Sequence, residues 1–298
     1  MRLYRFPFRA MASEHELQLY AEKRSVAEAA ARAAIDDVAR IEAKYSRYLP
    51  DSVTTTINAA AGRDAVAIDP ETAALLGYAD RCHALSDGAF DITSGVLRRV
   101  WDFKRKPPQL PTADALAAVL PKVGWGLVEW DDRHIRLPRA GMEIDFGGIG
   151  KEYAADRAIT ICVDAGVPHA LCNLGGDVRA GGPQADGSPW RVGIRHPRRD
   201  DAAIAMVELK AGAVATSGDY ERYIEVGGRR YCHILDPRTG MPVRDWQSVS
   251  VVAPLCVVAG SCATIAMLRG EGAEAFLQEQ GHPYLLVAAD GTQRSYWM

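Results

Sequence analysis

Hydrophobic residues recur at helical spacing in the first third of the chain. Residues 25–46 carry an apolar stripe, and Ser25 and Glu28 have the spacing of a capping box, so we predict a long helix there. The stripe consists of Val26, Ala30, Ala33, Val38 and Ile41. A second helix is predicted from Pro70 to about Leu85, because proline is favoured in a first helical turn. The alternating residues 15–22 predict a half-buried strand.

The second half of the chain consists mainly of short apolar or alternating segments, which are typical of strands. Helices are predicted at residues 112–120, 149–166 and 257–268, and the glycine pair at 227–228 predicts a hairpin turn. Helices and strands are mixed without a regular βαβ alternation. We therefore predict an α+β fold of mixed sheets with packed helices, built as one compact unit or as two intimate subdomains.

Composition adds few constraints. The chain has 298 residues, a net charge of −3 and 48% hydrophobic residues, which is ordinary for a globular protein and favours neither nucleic acid nor an anionic membrane surface as partner. The six cysteines form no C-x-x-C pair, so they predict free thiols in a reducing compartment, and no apolar run is long enough for a membrane span. We expect a cytoplasmic location.

The string "EIDFGGIGKEYAADRA" at residues 143–158 has the look of a phosphate-binding loop. A Walker A loop requires glycine where Asp145 stands and serine or threonine where Glu152 stands, so that interpretation fails. Glycines before a helix that opens with Lys151 still favour an anion site. The alternative is an ordinary strand-to-helix turn with an exposed lysine.

Other segments carry polar residues where a ligand or an elaborate turn is expected. These are "LSDGAFDITSGVL" (85–97), "CNLGGDVRAGG" (172–182), "ATSGDYERY" (215–223) and "YCHILDPRTGMP" (231–242). His233 has the titration range of a general base, although a lone histidine in an apolar strand is more often a satisfied core residue.

Taken in order, these motifs resemble the ApbE family, the FAD:protein FMN transferases. The resemblance extends from about residue 8 to about residue 270 and adds "ExxxSRY" at Glu42–Tyr48, with Asn58 downstream. The strings "IDFGGIGKEYAAD", "NLGGD", "TSGDYERY" and "HILDPRTGMPV" are its closest matches. We therefore treat residues 1–298 as one ApbE-like, T-fold-like flavin transferase domain.

The resemblance implies a Mg²⁺-dependent transferase that cleaves the FAD pyrophosphate. It attaches FMN through its phosphate to a Thr or Ser of a target flavoprotein and releases AMP. His233, Lys151 and Asp145 are the implied catalytic residues. The implied flavin nucleotide contacts are Met11, Tyr48, Ala89, Phe90, Asp91, Asp145, Lys151 and Ile234. The implied metal ligands are the carbonyl of Gly148 and the hydroxyl of Thr264.

The chain departs from the family pattern at its metal motif. The family reads A-D-A-L-x-T, whereas this chain reads "AGSCAT" at 259–264, so Gly260 stands in place of the Asp ligand. Glu152 stands where the family usually has glycine, and it can compensate if its side chain faces the site rather than away from it. Mg²⁺ prefers carboxylate oxygens. The alternatives are therefore an FAD pyrophosphatase or an FAD-binding protein with an impaired metal site.

Overall fold

Seven α-helices and fifteen β-strands make up the computed structural model, which describes residues 1–297. The helices are α1 (Arg24–Tyr45), α2 (Val53–Ala59), α3 (Pro70–Leu85), α4 (Ala113–Val119), α5 (Gly150–Asp164), α6 (Cys256–Arg269) and α7 (Ala273–Gln280). The strands are β1 (Arg2–Ala10), β2 (Ser13–Ala21), β3 (Val66–Ala67), β4 (Glu129–Trp130), β5 (His134–Arg136), β6 (Ala170–Leu174), β7 (Asp177–Ala180), β8 (Trp190–Arg195), β9 (Ala203–Leu209), β10 (Gly212–Gly218), β11 (Tyr223–Val226), β12 (Arg229–Cys232), β13 (Trp246–Ala253), β14 (Tyr284–Ala288) and β15 (Gln293–Tyr296).

An eight-stranded antiparallel sheet lies at the centre, in the order β1-β2-β6-β7-β10-β13-β14-β15. Helices α1, α5 and α6 pack on one face of this sheet. The buried residues there form one apolar cluster, whose first and last members along the sequence are Ala10 and Leu286. The β8–β9 hairpin covers the other face, with Trp190 packed in one cluster with Leu171 and Val214. The α+β class predicted from the sequence is confirmed. The assignment of the whole chain to one domain stays a prediction.

Several predicted elements are confirmed because their signals are local. Helix α3 begins at Pro70, and the side chain of Asp69 caps it by accepting the N–H of Thr72 at 2.8 Å. The predicted hairpin joins β11 to β12 through Gly227 and Gly228, both at positive φ. Within residues 1–297, no helix combines the length and apolar character that a membrane crossing needs.

The predicted start and stripe of α1 are wrong in detail. No side chain caps this helix, and Glu28 pairs with Arg24 at 2.7 Å instead of forming a capping box with Ser25. Val26 and Ala33 face solvent. The buried face is formed by Ala27, Ala30, Ala31, Ala34, Val38, Ile41 and Tyr45. The alanine-rich sequence permits several stripes, and packing against α5 selects this one.

Candidate active site

The glycine-rich turn before α5 is fixed by polar contacts on both sides. Asp145 caps the short 3₁₀ turn that follows it, since its Oδ1 accepts the N–H of Gly147 at 2.9 Å. Its Oδ2 lies 3.2 Å from Nη1 of Arg47. Asn58 bonds both backbone groups of Ile144 and thereby holds the residue before the aspartate. Asp145 therefore shapes the turn and anchors an arginine at its edge.

Lys151, in the first turn of α5, forms an ion pair with Asp177 at the start of β7. The distance from Nζ to Oδ2 is 2.5 Å, and the Asp177 side chain is only 5% exposed. Burial disfavours the ammonium form, but the charges of Asp177 and Glu152 outweigh burial and raise the pKa of Lys151 above its ordinary value. A permanent cation beside a helix N-terminus suits the binding of an anion.

Two backbone turns bring other motifs close to Lys151. Between β6 and β7, Gly175 and Gly176 adopt positive φ, which lets the chain reverse directly before Asp177. A Cβ built on Gly175 would lie 3.3 Å from Oγ of Ser13 and 3.9 Å from Nζ of Lys151. The start of β2, the double-glycine turn and the lysine are therefore neighbours, although the sequence separates them widely.

Met11 and Ala12 form the two-residue turn between β1 and β2. Their φ angles are 48° and 62°, in the left-handed region that disfavours residues with a Cβ. Beyond the turn, Nε2 of His15 lies 2.8 Å from the carbonyl oxygen of Ala10. Met11 is half-buried and packs against the main core. This strained turn carries the predicted flavin contact Met11 to the same end of the sheet as Ser13.

Glu152 faces the protein interior, not solvent. It is only 8% exposed, and a Cβ built on Gly260 of α6 would lie 2.6 Å from its Cγ. Burial and the negative charge of Asp177 raise the pKa of Glu152 to about 7, despite the opposing effect of Lys151. The space that a side chain at position 260 would fill is occupied by this carboxyl group.

His233 directly follows β12 and lies half-buried. Its Nδ1 is buried without a hydrogen-bond partner. A histidine with a purely structural role would be expected to have its buried ring nitrogens hydrogen-bonded. Burial and the charges of Arg98, Arg222 and Lys151 lower the pKa of His233 to about 4. The imidazole is therefore neutral at physiological pH, which is the form that can accept a proton.

Comparison with known proteins identifies the family. The sequence matches the ApbE family over residues 11–286. The chain belongs to the ApbE family. It is 30% identical over 262 residues to the FAD:protein FMN transferase of Salmonella typhimurium, a match covering 85% of this chain and 75% of the relative. It is 32% identical over 227 residues to the FAD:protein FMN transferase of Klebsiella pneumoniae, covering 73% and 65%.

Solved structures agree with the sequence comparison. The fold superimposes on the ApbE protein of Thermotoga maritima with a TM-score of 0.88 at 34% identity, covering 99% of this chain and 97% of that one. The apo form of the Pseudomonas stutzeri flavinyl transferase ApbE gives a TM-score of 0.87 at 29% identity, covering 99% and 94%. The ApbE-like fold expected from the motifs is confirmed.

The residues that the ApbE motifs assign to the flavin nucleotide differ in accessibility. Tyr48 is 73% exposed, and the guanidinium of Arg47 lies 5.7 Å from its ring centre. Nη1 of Arg98 lies 3.4 Å from its hydroxyl oxygen. Ile234 is half-buried beside His233. Tyr48 is thus an open aromatic face between two cations and is available for stacking.

The "DGAFD" segment of the ApbE pattern is held by hydrogen bonds and packing within the fold. Asp91 is buried, and its carboxylate accepts both the N–H and the hydroxyl of Thr93 and the N–H of Trp125. Ala89 and Phe90 are buried as well, and the Phe90 ring lies against Gly148, where an added Cβ would lie 3.2 Å from Cζ. The carboxylate of Asp91 is therefore held by internal donors, and a flavin contact at Asp91 stays a prediction.

The two metal ligands implied by the ApbE motifs lie on different elements. Thr264 of α6 has its Oγ1 2.8 Å from Oγ of Ser217 on β10, and Gly148 ends the 3₁₀ turn before α5. No three His, Cys, Asp or Glu side chains within residues 1–297 gather in a way that could hold a metal ion. Any metal here would depend on hydroxyl, carbonyl and one or two carboxylate oxygens, which suits Mg²⁺.

Arg98, Arg222 and Asp177 interact with the predicted catalytic residues, and the motif-based assignment did not include them. Arg98 lies in the 3₁₀ helix Ile92–Arg99, and the positive charges of Arg98 and Arg222 lower the pKa of His233. Asp177 stood in a recognised motif, but only the structure shows its pairing with Lys151. An open pocket of about 530 Å³ is lined by residues 236–245 and 268–271, and its lining includes neither Lys151 nor His233.

Proposed function

We propose that this protein is an FAD:protein FMN transferase. The single observation that supports this most is the cationic Lys151 in the first turn of α5, paired with the buried Asp177, in a chain whose relatives carry that enzyme name. In the proposed reaction, a Thr or Ser hydroxyl of a target flavoprotein attacks the FMN-side phosphorus of FAD. The bond between that phosphorus and the bridging oxygen breaks, and AMP leaves.

We assign a separate role in this reaction to each side chain of the site. Lys151, near the positive end of α5, offsets negative charge on the pyrophosphate. His233 is neutral and accepts the proton of the attacking hydroxyl. Tyr48, exposed between Arg47 and Arg98, supports the flavin nucleotide at the rim. Met11, Ala89, Phe90, Asp91 and Ile234 complete the proposed binding set, with Asp145 ordering the turn.

We propose Mg²⁺ as the cofactor, with the Gly148 carbonyl and the Thr264 hydroxyl among its ligands. The donors fit this hard cation because they are oxygens. In addition, Oε2 of Glu152, which packs against Gly260 one helical turn from Thr264, is buried without a hydrogen-bond partner. When bound, Mg²⁺ neutralises charge that develops on the transferred phosphoryl group. We also propose a cytoplasmic location, because all six cysteines are buried free thiols, as a reducing compartment maintains.

The test uses candidate acceptor domains, each paired with a variant whose acceptor Thr or Ser is alanine. The full chain is incubated with FAD, MgCl₂ and each domain. A flavin-fluorescent band that survives denaturing electrophoresis, is absent from the alanine variant and is matched by AMP release supports the proposal. AMP and free FMN without a labelled protein would indicate a pyrophosphatase. FAD binding without AMP would indicate a binding protein. Either result overturns the transferase proposal.

A further inference from the structure

Glu152 is a buried carboxylate that the fold leaves unsatisfied. It is 8% exposed, and its Oε2 is buried without any hydrogen-bond partner. A buried carboxylate oxygen without a donor is costly, so such atoms in native proteins point to a proton, an ion or a ligand that completes them. The neighbouring Lys151 does not complete it, because its ammonium group pairs with Asp177 at 2.5 Å.

The carboxyl group of Glu152 fills the side-chain position of Gly260. A Cβ built on Gly260 would lie 2.6 Å from Cγ and 2.9 Å from Oε1 of Glu152. Thr264 lies one helical turn farther along α6, on the same face as Gly260. The glutamate of α5 therefore places its carboxyl group in the volume that a side chain at position 260 on α6 would occupy, one helical turn from Thr264.

The relative position of the two helices is fixed by a second carboxylate one turn away. Asp156 accepts the backbone N–H groups of Cys256 and Val257 at 2.8 and 2.9 Å, so it caps the start of α6 from α5. Glu152 precedes Asp156 by four residues, and Gly260 follows Cys256 by four. Because both steps are one turn in antiparallel directions, the cap sets the register that brings Glu152 against Gly260.

The charges around the site leave one negative charge uncompensated. Asp177 pairs with Lys151, and Asp156 pairs with Arg179 at 3.0 Å. Glu152 is the remaining carboxylate of this group, and it faces the negative charges of Asp177 and Asp156. Burial, and after it the negative charges of Asp177 and Asp156, raise its pKa to about 7. A divalent cation would supply the missing charge and the missing partner of Oε2 together.

We propose that Glu152 is the carboxylate ligand of the divalent-metal site, supplied from α5 in place of an acid at position 260 on α6. The inference rests on the proposed function for the identity of the metal as Mg²⁺. Its test does not, because metal binding is measured without flavin transfer.

The first experiment measures Mn²⁺ binding to the full chain by electron paramagnetic resonance, with and without FAD. Glu152→Gln keeps the shape of the side chain and is expected to weaken Mn²⁺ binding at least tenfold, as loss of a charged ligand does. The matched control is Glu14→Gln, since Glu14 is exposed in the β1–β2 hairpin, and its affinity is expected to equal that of the wild type. Equal Mn²⁺ affinity in Glu152→Gln and wild type overturns the proposal, as does a wild type that binds no Mn²⁺ in either condition.

A second experiment transfers the carboxylate from α5 to α6 by substituting positions 152 and 260. Gly260→Asp alone overfills the space beside Glu152 and is expected to bind Mn²⁺ no better than wild type. The double variant Glu152→Gly, Gly260→Asp is expected to recover Mn²⁺ binding to within about threefold of wild type, because it retains one carboxylate in the same volume. A folded double variant that binds as weakly as Glu152→Gln contradicts the proposal.

Calorimetry of metal binding in two buffers of different ionisation enthalpy gives an independent readout. Near pH 6.5, wild-type protein is expected to release a fraction of a proton on Mn²⁺ binding, and Glu152→Gln none. If Glu152 binds metal but the protein releases no AMP from FAD, the proposed function fails and this inference stands. If flavin transfer is identical in wild type and Glu152→Gln, this inference fails and the function stands.

Discussion

Lys151 and Asp177 form an ion pair of 2.5 Å that joins the first turn of α5 to the first residue of β7. The pair leaves Glu152, the next residue on α5, without a cation of its own. The single charge of Lys151 therefore offsets part of the charge of two buried carboxylates, and both carboxylates raise the pKa of Lys151. We therefore expect the stability of this region to depend on pH and on any substitution of the lysine.

Lys151→Met is expected to destabilise the protein by about 3 kcal/mol at pH 8, because removing one partner of a buried pair leaves uncompensated charge. The loss is expected to shrink by pH 5, where Glu152 is protonated and only Asp177 remains charged. Urea unfolding in EDTA at both pH values measures the difference. Arg9→Met is the control, since the Arg9–Glu14 pair is exposed and worth less than about 1 kcal/mol. A loss independent of pH would contradict this account.

Glu152→Gln is expected to be more stable than wild type at pH 8 in metal-free buffer, by up to about 3 kcal/mol. The folded pKa of about 7 exceeds the ordinary 4.5, so the folded state binds more protons than the unfolded state between these values. The contribution of Glu152 to wild-type stability therefore falls as pH rises from 4.5 to 7, and the variant lacks that fall. Chemical denaturation across this range tests the sign. A variant that is less stable at pH 8 would show that the charged glutamate is well compensated.

His233→Gln is expected to reduce FMN transfer by about 10²- to 10⁴-fold and to leave FAD affinity nearly unchanged, since it removes a proton acceptor. Its folded pKa of about 4 lies below the ordinary 6.5, so this histidine contributes stability above pH 6.5 that is lost as pH falls to 4. The variant should lose less stability than wild type over that range. His134→Gln, on the exposed β5 hairpin, is the control for both measurements. Equal transfer by His233→Gln would remove the imidazole from the mechanism.

The sequence predicted those features that depend on neighbouring residues. Asp69 and Pro70 mark the start of α3, and Gly227 and Gly228 mark the β11–β12 turn, because capping and left-handed backbone are local properties. The α1 stripe was misplaced because alanine is compatible with a buried or an exposed face. Propensity and periodicity carry no information about which of two similar faces the rest of the protein covers.

The contacts that build the site could not be derived from the sequence, because they join distant segments. Asp156 and Cys256 are 100 residues apart in the chain, yet their hydrogen bond sets the register of α5 against α6. The direction of Glu152 depends on that register, so its role was left open. Likewise, only the structure shows that the carboxylate of Asp91 is bonded to Thr93 and Trp125, and its contact with a flavin nucleotide stays a prediction.

Ala12→Gly is expected to stabilise the protein by about 1 kcal/mol, because glycine adopts a φ of 62° without the penalty that a Cβ incurs. Thermal and urea unfolding measure the gain. Ala33→Gly, at an exposed position in the middle of α1, is expected to destabilise the protein by about 1 kcal/mol, because glycine disfavours the helix. If both variants are destabilised alike, the β1–β2 turn stores no relievable strain.

The shared volume of Glu152 and Gly260 has a consequence for comparing this chain with its homologues. An acid at both positions overcrowds the space, and glycine at both leaves it without a carboxylate. In an alignment, the residues at these two positions therefore have to be compared together, because the carboxylate can come from either one. A survey that scores the column of Gly260 alone would class this chain as a degenerate family member, although the missing group has only changed its helix of origin.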